Sequence, residues 1–421
     1  MHIKTLTKIA IPDQQNIIWT SPQYCNWLSL LHNNKTSSRD IPNRRQARRE
    51  LIKLAIGYTE MINGRPCRIE TTDNIVCTGH QANWHHCGIL AKNIVTANLA
   101  RTAHGSAIHL VLDHDIYSTS ITLPKLINQH QWNSEKLEIE PPQINTPLQC
   151  RQIPSKAMLK NFLGTTMNTL DNSLCRQVWP DLIRSLPKRS KPMRNIADLI
   201  TCCQAALNDR LGINLLYLPI STLSQSQAFL NFAGSIINNS AEFASNYNKA
   251  ILEKHRDKKR TIHQLTLDDS TNLTDLPFWL VSTEGKRCTL KIVHKQNKSL
   301  SINTDTREIG SLDYSSNNCM AGQLERLLKN TGYCLAPKAV TLTLFARLFL
   351  ADWFVHGIGA IKYEFVTDHI MKSFYGISKP YFGIATTTVK LPLDKTADNE
   401  KLSITQLQQL LREADSTHKC N

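Results

Sequence analysis

The sequence predicts an α/β protein built on a parallel sheet, and three stretches carry that expectation. Residues 74–78 form a short β-like run, Gly88 to Ala103 has helical character, and AIHLVLDHD, ending at Asp115, reads as a strand buried on both faces. Such a strand shows a continuous apolar run and no alternation. Strand, loop, helix and strand within about 40 residues make a βαβ unit. A further apolar run, INLLYLPIS at 213–221, supplies another strand of the same kind.

The remaining elements follow in order. A short apolar segment, Trp27 to Leu31, interrupts a polar and basic start. RRQARRE at 44–50 then leads into LIKLAIGYTEMI, whose apolar residues recur at helical spacing, and Asn63-Gly64 ends that helix. Between 120 and 210, Pro141-Pro142 and SLPKRSKPMR read as loops among helical stretches. Gln225 to His255 reads as a long helical region with a break at Asn238-Asn239. FWLVS, CTLKIVH and SLSIN, between 275 and 305, suggest a small antiparallel insertion. Residues 338–356 read as one buried helix, followed by a glycine turn and a second helix to about 374. TTTVKLPL is expected as an edge strand, and 403–415 as a short amphipathic helix. No internal repeat or low-complexity tract is present.

A chain of 421 residues is too long for one small core. The expected division is an N-terminal helical segment (1–65), a core from 66–225 and 335–395, a helical and β insertion (226–334), and a short C-terminal helix and tail (396–421). With 41% hydrophobic and 20% charged residues, global disorder is excluded. The net charge of +15 predicts an anionic partner. Basic clusters at Arg44–Arg49, Lys188–Arg194 and His255–Arg260 lack interleaved aromatics, and no nucleic-acid motif accompanies them. A small anion is therefore expected over a specific nucleic acid.

MHIKTLTKIAIPDQQ lacks the apolar core of a secretory signal, and no run of about 18 apolar residues occurs. No membrane partner and a cytoplasmic location are expected. Twelve cysteines include one adjacent pair, Cys202-Cys203, and no CxxC, which fits reduced thiols.

Three constellations can carry chemistry. The first is Gly79-His80-Gln81-Ala82-Asn83-Trp84-His85-His86-Cys87-Gly88, where the first core strand hands over to its helix. Unpaired N–H groups and the helix dipole favour an anion there, and Lys92 adds positive potential. The second is Asp113-His114-Asp115, at the end of the next strand, where two acids around a histidine can hold a metal, a ribose or a general base. The third is RLFLADWFVHGIGAIKYEFVTD, from Arg347 to Asp368. In a helix, Asp352 and His356 would share one face at i, i+4 and pair. Gly357 and Gly359 would let the backbone approach a ligand, with Lys362, Tyr363 and Asp368 on the next helix. Neither HExxH nor paired CxxC occurs, so a structural or catalytic zinc is not expected at the histidine-rich turn.

Taken in order, these blocks resemble the cysteine-adding enzymes of bacillithiol synthesis (BshC-like). VCTGHQANWHHCGILAKNIVTANLA is similar to that family's TGQQ-type turn and helix, HLVLDHDIYSTS to its strand ending in Asp-His-Asp, and ADWFVHGIGAIKYEFVTDHIMKSFYGI to its later glycine-rich segment. The matched order covers about 70–120 and 335–378. The resemblance implies a Rossmann-like parallel sheet core with helical and small antiparallel β insertions. It also implies thiol-metabolite chemistry, in which cysteine is joined to a small anionic metabolite through an amide bond, with ATP or ADP as the nucleotide. Three features mark a divergent branch: the histidine-rich tail of the early turn, Gly-Ile-Gly in the later segment, and no long coiled coil after the core.

On this reading His80, Gln81, Asn83 and His86 surround the anionic part of the substrate or nucleotide. Asp113 and Asp115 bind a hydroxyl, an amine or a metal, and Asp352 and His356 flank the site from the other side. Gly79, His85, Gly88, Lys92, His114, Arg347, Gly357, Gly359, Tyr363 and Asp368 complete the expected binding set. The alternatives are a nucleotidyl transferase on the same core and a basic nucleic-acid-binding protein that uses the core as a scaffold.

Overall fold

The computed structural model describes residues 17–38, 41–67, 73–128, 131–143, 145–170, 192–254, 262–296, 298–314 and 319–389. The chain begins with β1 (Ile18–Ser21), α1 (Trp27–Ser37) and α2 (Arg44–Asn63). Gly64 closes α2 in the left-handed conformation at φ 64°, as the Asn-Gly signal predicts. The βαβ unit follows as β2 (Ile75–Gln81), α3 (Cys87–Thr102) and β3 (Ser106–Leu112). A hairpin of β4 (Ile121–Asn128) and β5 (Gln131–Leu137) precedes α4 (Lys156–Thr169), α5 (Ile196–Arg210) and β6 (Leu216–Pro219). The short α6 (Ile220–Leu223), α7 (Gln227–Asn238) and α8 (Ser240–Lys254) come next, with the expected break between the last two.

Strands β7 (Leu267–Asp268), β8 (Leu273–Ser282), β9 (Arg287–Lys295), β10 (Ser299–Asn303) and β11 (Glu308–Asp313) precede α9 (Met320–Thr331) and β12 (Tyr333–Pro337). Together they form an antiparallel sheet of order β11-β10-β9-β8-β12, with β7 on β8. This is the insertion expected from the sequence, with β12 belonging to it as well. The chain returns through α10 (Ala339–Phe345), one turn of π-helix (Ala346–Leu350), β13 (Trp353–His356), α11 (Ile361–Ser373) and β14 (Gly383–Thr387).

The central sheet is mixed, with order β1-β14-β13-β2-β3-β6. Five strands are parallel, and β1 pairs antiparallel with β14 at one edge. By chain order the parallel strands lie 3-2-1-4-5, so the direction of growth reverses between β2 and β13. Side chains alternate between two apolar layers. Ile75, Cys77, Ile108, Leu110, Leu216, Leu218, Phe354 and Ile384 pack with α7, α8, α10, α11 and the second sheet. Val76, Ala107, Val111, Tyr217, Trp353, Val355 and Ala385 pack with α1, α3 and α5.

Two expectations are corrected. The helix over 338–356 stops at Leu350; Ala351 is extended at ψ 139°, and Trp353–His356 is a strand. An apolar run buried on both sides has no period to separate helix from interior strand, so its composition misleads. The strand near TTTVKLPL begins earlier, at Gly383, and lies inside the sheet, because β1 takes the edge. Residues 390–393, the helix expected over 403–415, the cluster His255–Arg260 and most of Lys188–Arg194 lie outside the described residues.

Gly383 is where the sheet meets the indoles of α1 and β13. A Cβ there would lie 2.6 Å from Trp27 and 2.8 Å from Trp353 Nε1, and both tryptophans are buried. Gly383→Ala is therefore an overpacking change, expected to lower the unfolding free energy by about 1–3 kcal/mol. Urea denaturation measures it, and an unchanged midpoint would show that the indoles shift without cost.

Candidate functional site at the carboxyl ends of the strands

Strands β2 and β13 are neighbours, and the helices that follow them diverge to opposite faces. From α3, Val95 and Leu99 join one apolar layer; from α11, Phe365, Val366 and Ile370 join the other. A sheet of this strand order is expected to leave a crevice between the loops after the two strands, here residues 82–86 and 357–360. The register extends Trp353 opposite Val76 and Phe354 opposite Cys77, which brings the Gly357 loop beside Gly79 and His80.

The main chains of the first and third constellations thus converge, but their histidines do not. His80 shares the face of Val76, with its ring 5.7 Å from that of His85. His85 stacks on His109 at 5.3 Å, and His109 lies 5.8 Å from Tyr217. His356 stacks on Phe354 at 4.5 Å, on the opposite face. The strict alternation of strand side chains forces this separation.

Lys92, on α3, is the charged group in the crevice. It is 5% exposed. Its Nζ donates to the Gly79 carbonyl at 2.8 Å, and a Cβ at Gly357 would lie 3.8 Å from its Cδ. Among the described residues no carboxylate pairs with it, and burial lowers its pKa to about 8. Gly359 is open on its Cβ side, which leaves that backbone approachable.

The imidazoles around Lys92 are neutral. Burial, then Lys92, lowers His80 to about 3. Burial also holds His85 and His109 well below the usual histidine range. His86 is lowered by the same two causes as His80. Burial and Lys92 therefore work against a positive charge on His80 or His86 near neutral pH. His86 is instead the N-cap of α3: its Nδ1 accepts from Gly88 N at 3.0 Å, while its carbonyl accepts from Ile89 and Leu90. The supposedly unpaired N–H groups of this turn are largely occupied, and the histidine does the capping. His85 is tied to Asn93, whose Nδ2 lies 3.5 Å from its Nδ1, and Asn93 Oδ1 accepts from His109 at 2.9 Å. The Asn83 carbonyl accepts from Gln204.

The second constellation divides. Asp113 accepts from the backbone and hydroxyl of Ser221, and burial raises it to about 6. It anchors the turn after β6 through Ser221 and is buried. Asp115 pairs with Arg287 of the second sheet at 2.9 Å and accepts from Gln81 at 3.1 Å. Its pKa is lowered, because the bonds from Arg287 and Gln81 outweigh desolvation, which opposes them. His114 is buried, and burial lowers it to about 4.

The third constellation also divides. Asp352 stands at the amino end of β13 and His356 at its carboxyl end, so the i, i+4 helical pair does not exist. Asp352 pairs with Arg44 at 3.2 Å and Arg48 at 2.5 Å. His356 Nε2 lies 3.3 Å from Glu364 Oε1 without hydrogen-bond alignment. Glu364 is fully buried and joined to Arg347, which also pairs with Asp368 at 2.9 Å and donates to the Pro380 carbonyl. Arg347 and Asp368 are thus consumed in an internal ion cluster. Burial, then Arg347 and Lys92, keeps His356 unprotonated. Tyr363 is partly buried, with Lys362 over its ring.

Sequence reasoning passed over Glu364, His109, Asn93 and Arg287. A lone histidine in the apolar run AIHLVL was a usable signal for His109, and Glu364 sits i, i+4 from Asp368; nothing local points to Arg287. Among the described residues, no group of three His, Cys, Asp or Glu side chains is arranged to hold a metal, no disulfide forms, and no helix is long and apolar enough to cross a membrane. Compared with family models and with curated proteins, the chain matches none.

Burial raises Glu364 from 4.5 to about 7. The folded state therefore keeps a proton that the unfolded chain releases. Stability from this group is full below pH 4.5 and is lost as pH rises through about 7. Glu364→Gln is expected to flatten that fall. Urea midpoints taken below and above this window measure it, and equal slopes in both proteins would refute the assignment.

Proposed function

We propose that this protein is an enzyme with a Rossmann-like, doubly wound core that acts on a small anionic metabolite in the crevice between β2 and β13. The strand order 3-2-1-4-5 supports that reading of the core, since ligands of such sheets bind beyond the carboxyl ends at the switch point. The observation that carries the proposal is Lys92: a buried ammonium with three donors and one carbonyl acceptor. An unpaired buried cation is costly, and an anionic ligand is the missing partner.

The proposed reaction class is the cysteine-adding one suggested by the sequence blocks, in which the amine of cysteine attacks an activated carboxyl group. ATP is the proposed source of activation. Lys92 and the open backbone of Gly357–Gly359 are suited to its phosphates or to the metabolite carboxylate. The nucleotidyl transferase reading is less favoured, because His85 is held by Asn93 and His86 caps α3.

Lys92→Met is expected to keep the fold and to weaken binding of ATP or of a malate-type acid. One charge-assisted bond is worth about 1.5–3 kcal/mol, or roughly ten- to a hundredfold in affinity. Wild-type affinity should also fall as pH rises past about 8, where Lys92 loses its proton. Isothermal titration of both proteins measures this, and mass spectrometry of cysteine, acid and ATP mixtures tests for the amide. Equal binding by wild type and variant would remove Lys92 from the site.

A further inference from the structure

At the other end of the sheet, where β2 and β13 begin, a cleft of about 820 Å³ opens between α1 and the first turns of α2. Its wall carries Lys35, Arg44, Arg45, Arg48 and Arg49 against Asp73 and Asp352, so five cations face two carboxylates. Arg44 is spent on the chain end after the π-turn, donating to the carbonyls of Arg347, Leu348 and Ala351. Arg48 differs. It is 9% exposed, it lines the cleft, and its Nε has no hydrogen-bond partner among the described residues. Arg45 and Arg49 are exposed beside it.

The helix itself sharpens the imbalance. α2 has 20 residues, no acidic residue in its first turn, and an Asn43 N-cap whose side chain makes no capping bond. A helix start is already positive and normally attracts acids. Arg44 and Arg48 share the single carboxylate of Asp352, and among the described residues Arg45 and Arg49 have no acidic partner, so the cluster as a whole is short of negative charge. Among the described residues the cleft is lined by no Phe, Tyr or Trp, and His32 is its single aromatic ring, which is a poor stacking platform for a run of bases. Guanidinium groups match phosphate oxygens in geometry.

We propose that this cleft is a second anion site, distinct from the crevice at Lys92, and that it binds the oligophosphate group of a small ligand. The test is titration of inorganic tripolyphosphate into the full chain at low salt, using wild type, Lys92→Met, and the double variant Arg45→Gln/Arg49→Gln. Among the described residues the two exposed arginines make no hydrogen bond or ion pair, and melting temperature checks that the double variant is folded. Binding is expected to persist in Lys92→Met, to weaken by about tenfold or more in the double variant, and to fall as salt rises. Arg48→Gln provides a second reading, with the same loss expected if the variant stays folded. Loss of all binding in Lys92→Met, or unchanged binding in the double variant, would overturn the site. A short single-stranded oligonucleotide that binds more tightly than tripolyphosphate would overturn the small-ligand assignment in favour of nucleic acid.

Discussion

The architecture hangs on the carboxylate of Asp352. It accepts from Ile75 N at 2.9 Å and pairs with Arg44 and Arg48. Its backbone N–H donates to the Ile75 carbonyl at 2.8 Å, and its own carbonyl accepts from Asn34 at 2.8 Å. One buried residue thus joins α1, α2, β2 and β13. Stripping one partner from such a cluster strands a buried charge, at about 3–5 kcal/mol. The geometric consequence reaches further. Because β13 is only four residues long, fixing Asp352, the residue just before it, against Ile75 also fixes where the strand ends, and so brings the Gly357 loop beside Gly79.

The electrostatics of the carboxyl-end crevice follow from one lysine. Lys92 lowers His80, His86 and His356 alike, on top of the larger effect of burial. Three imidazoles that look like pH-responsive groups are held neutral, and the positive charge is confined to one ammonium. The histidines act as packing and capping groups: His86 on Gly88, His85 and His109 around Asn93. A cluster of titratable residues is therefore a poor guide to where charge resides when all of them are desolvated together.

What the sequence disclosed depended on whether the signal was local. The βαβ unit, the break between α7 and α8, and the Gly64 stop were legible, because turn residues and period are properties of neighbouring positions. The antiparallel insertion was legible from β-rich runs bounded by turns. The β13 strand was not, because WFVH buried on both faces carries no period. The partners of the acidic residues were invisible for a different reason. Arg44 and Asp352 are 308 positions apart, and Asp115 meets Arg287 across 172. The candidate positions around 79–88 and 357–359 were found as chain segments, but the face each side chain takes is decided by register, which only pairing sets.

The buried cations form a graded series that separates structural ions from candidate binding groups. Arg347 has the Asp368 carboxylate, the Glu364 carboxyl group and a carbonyl; its charge is balanced inside the protein. Arg44 and Arg48 share one carboxylate between them, and Arg44 is pushed down to about 10 by burial and by Arg48. Lys92 has a single neutral acceptor. Charge that a fold buries without compensation lowers stability, and such a group either gives up its proton more readily, as Lys92 does, or gains from an outside partner. By that measure Arg347 belongs to the core. The under-compensated groups are Arg48 at the amino ends of the strands and Lys92 at their carboxyl ends, the two places where the proposed anions would complete the charge.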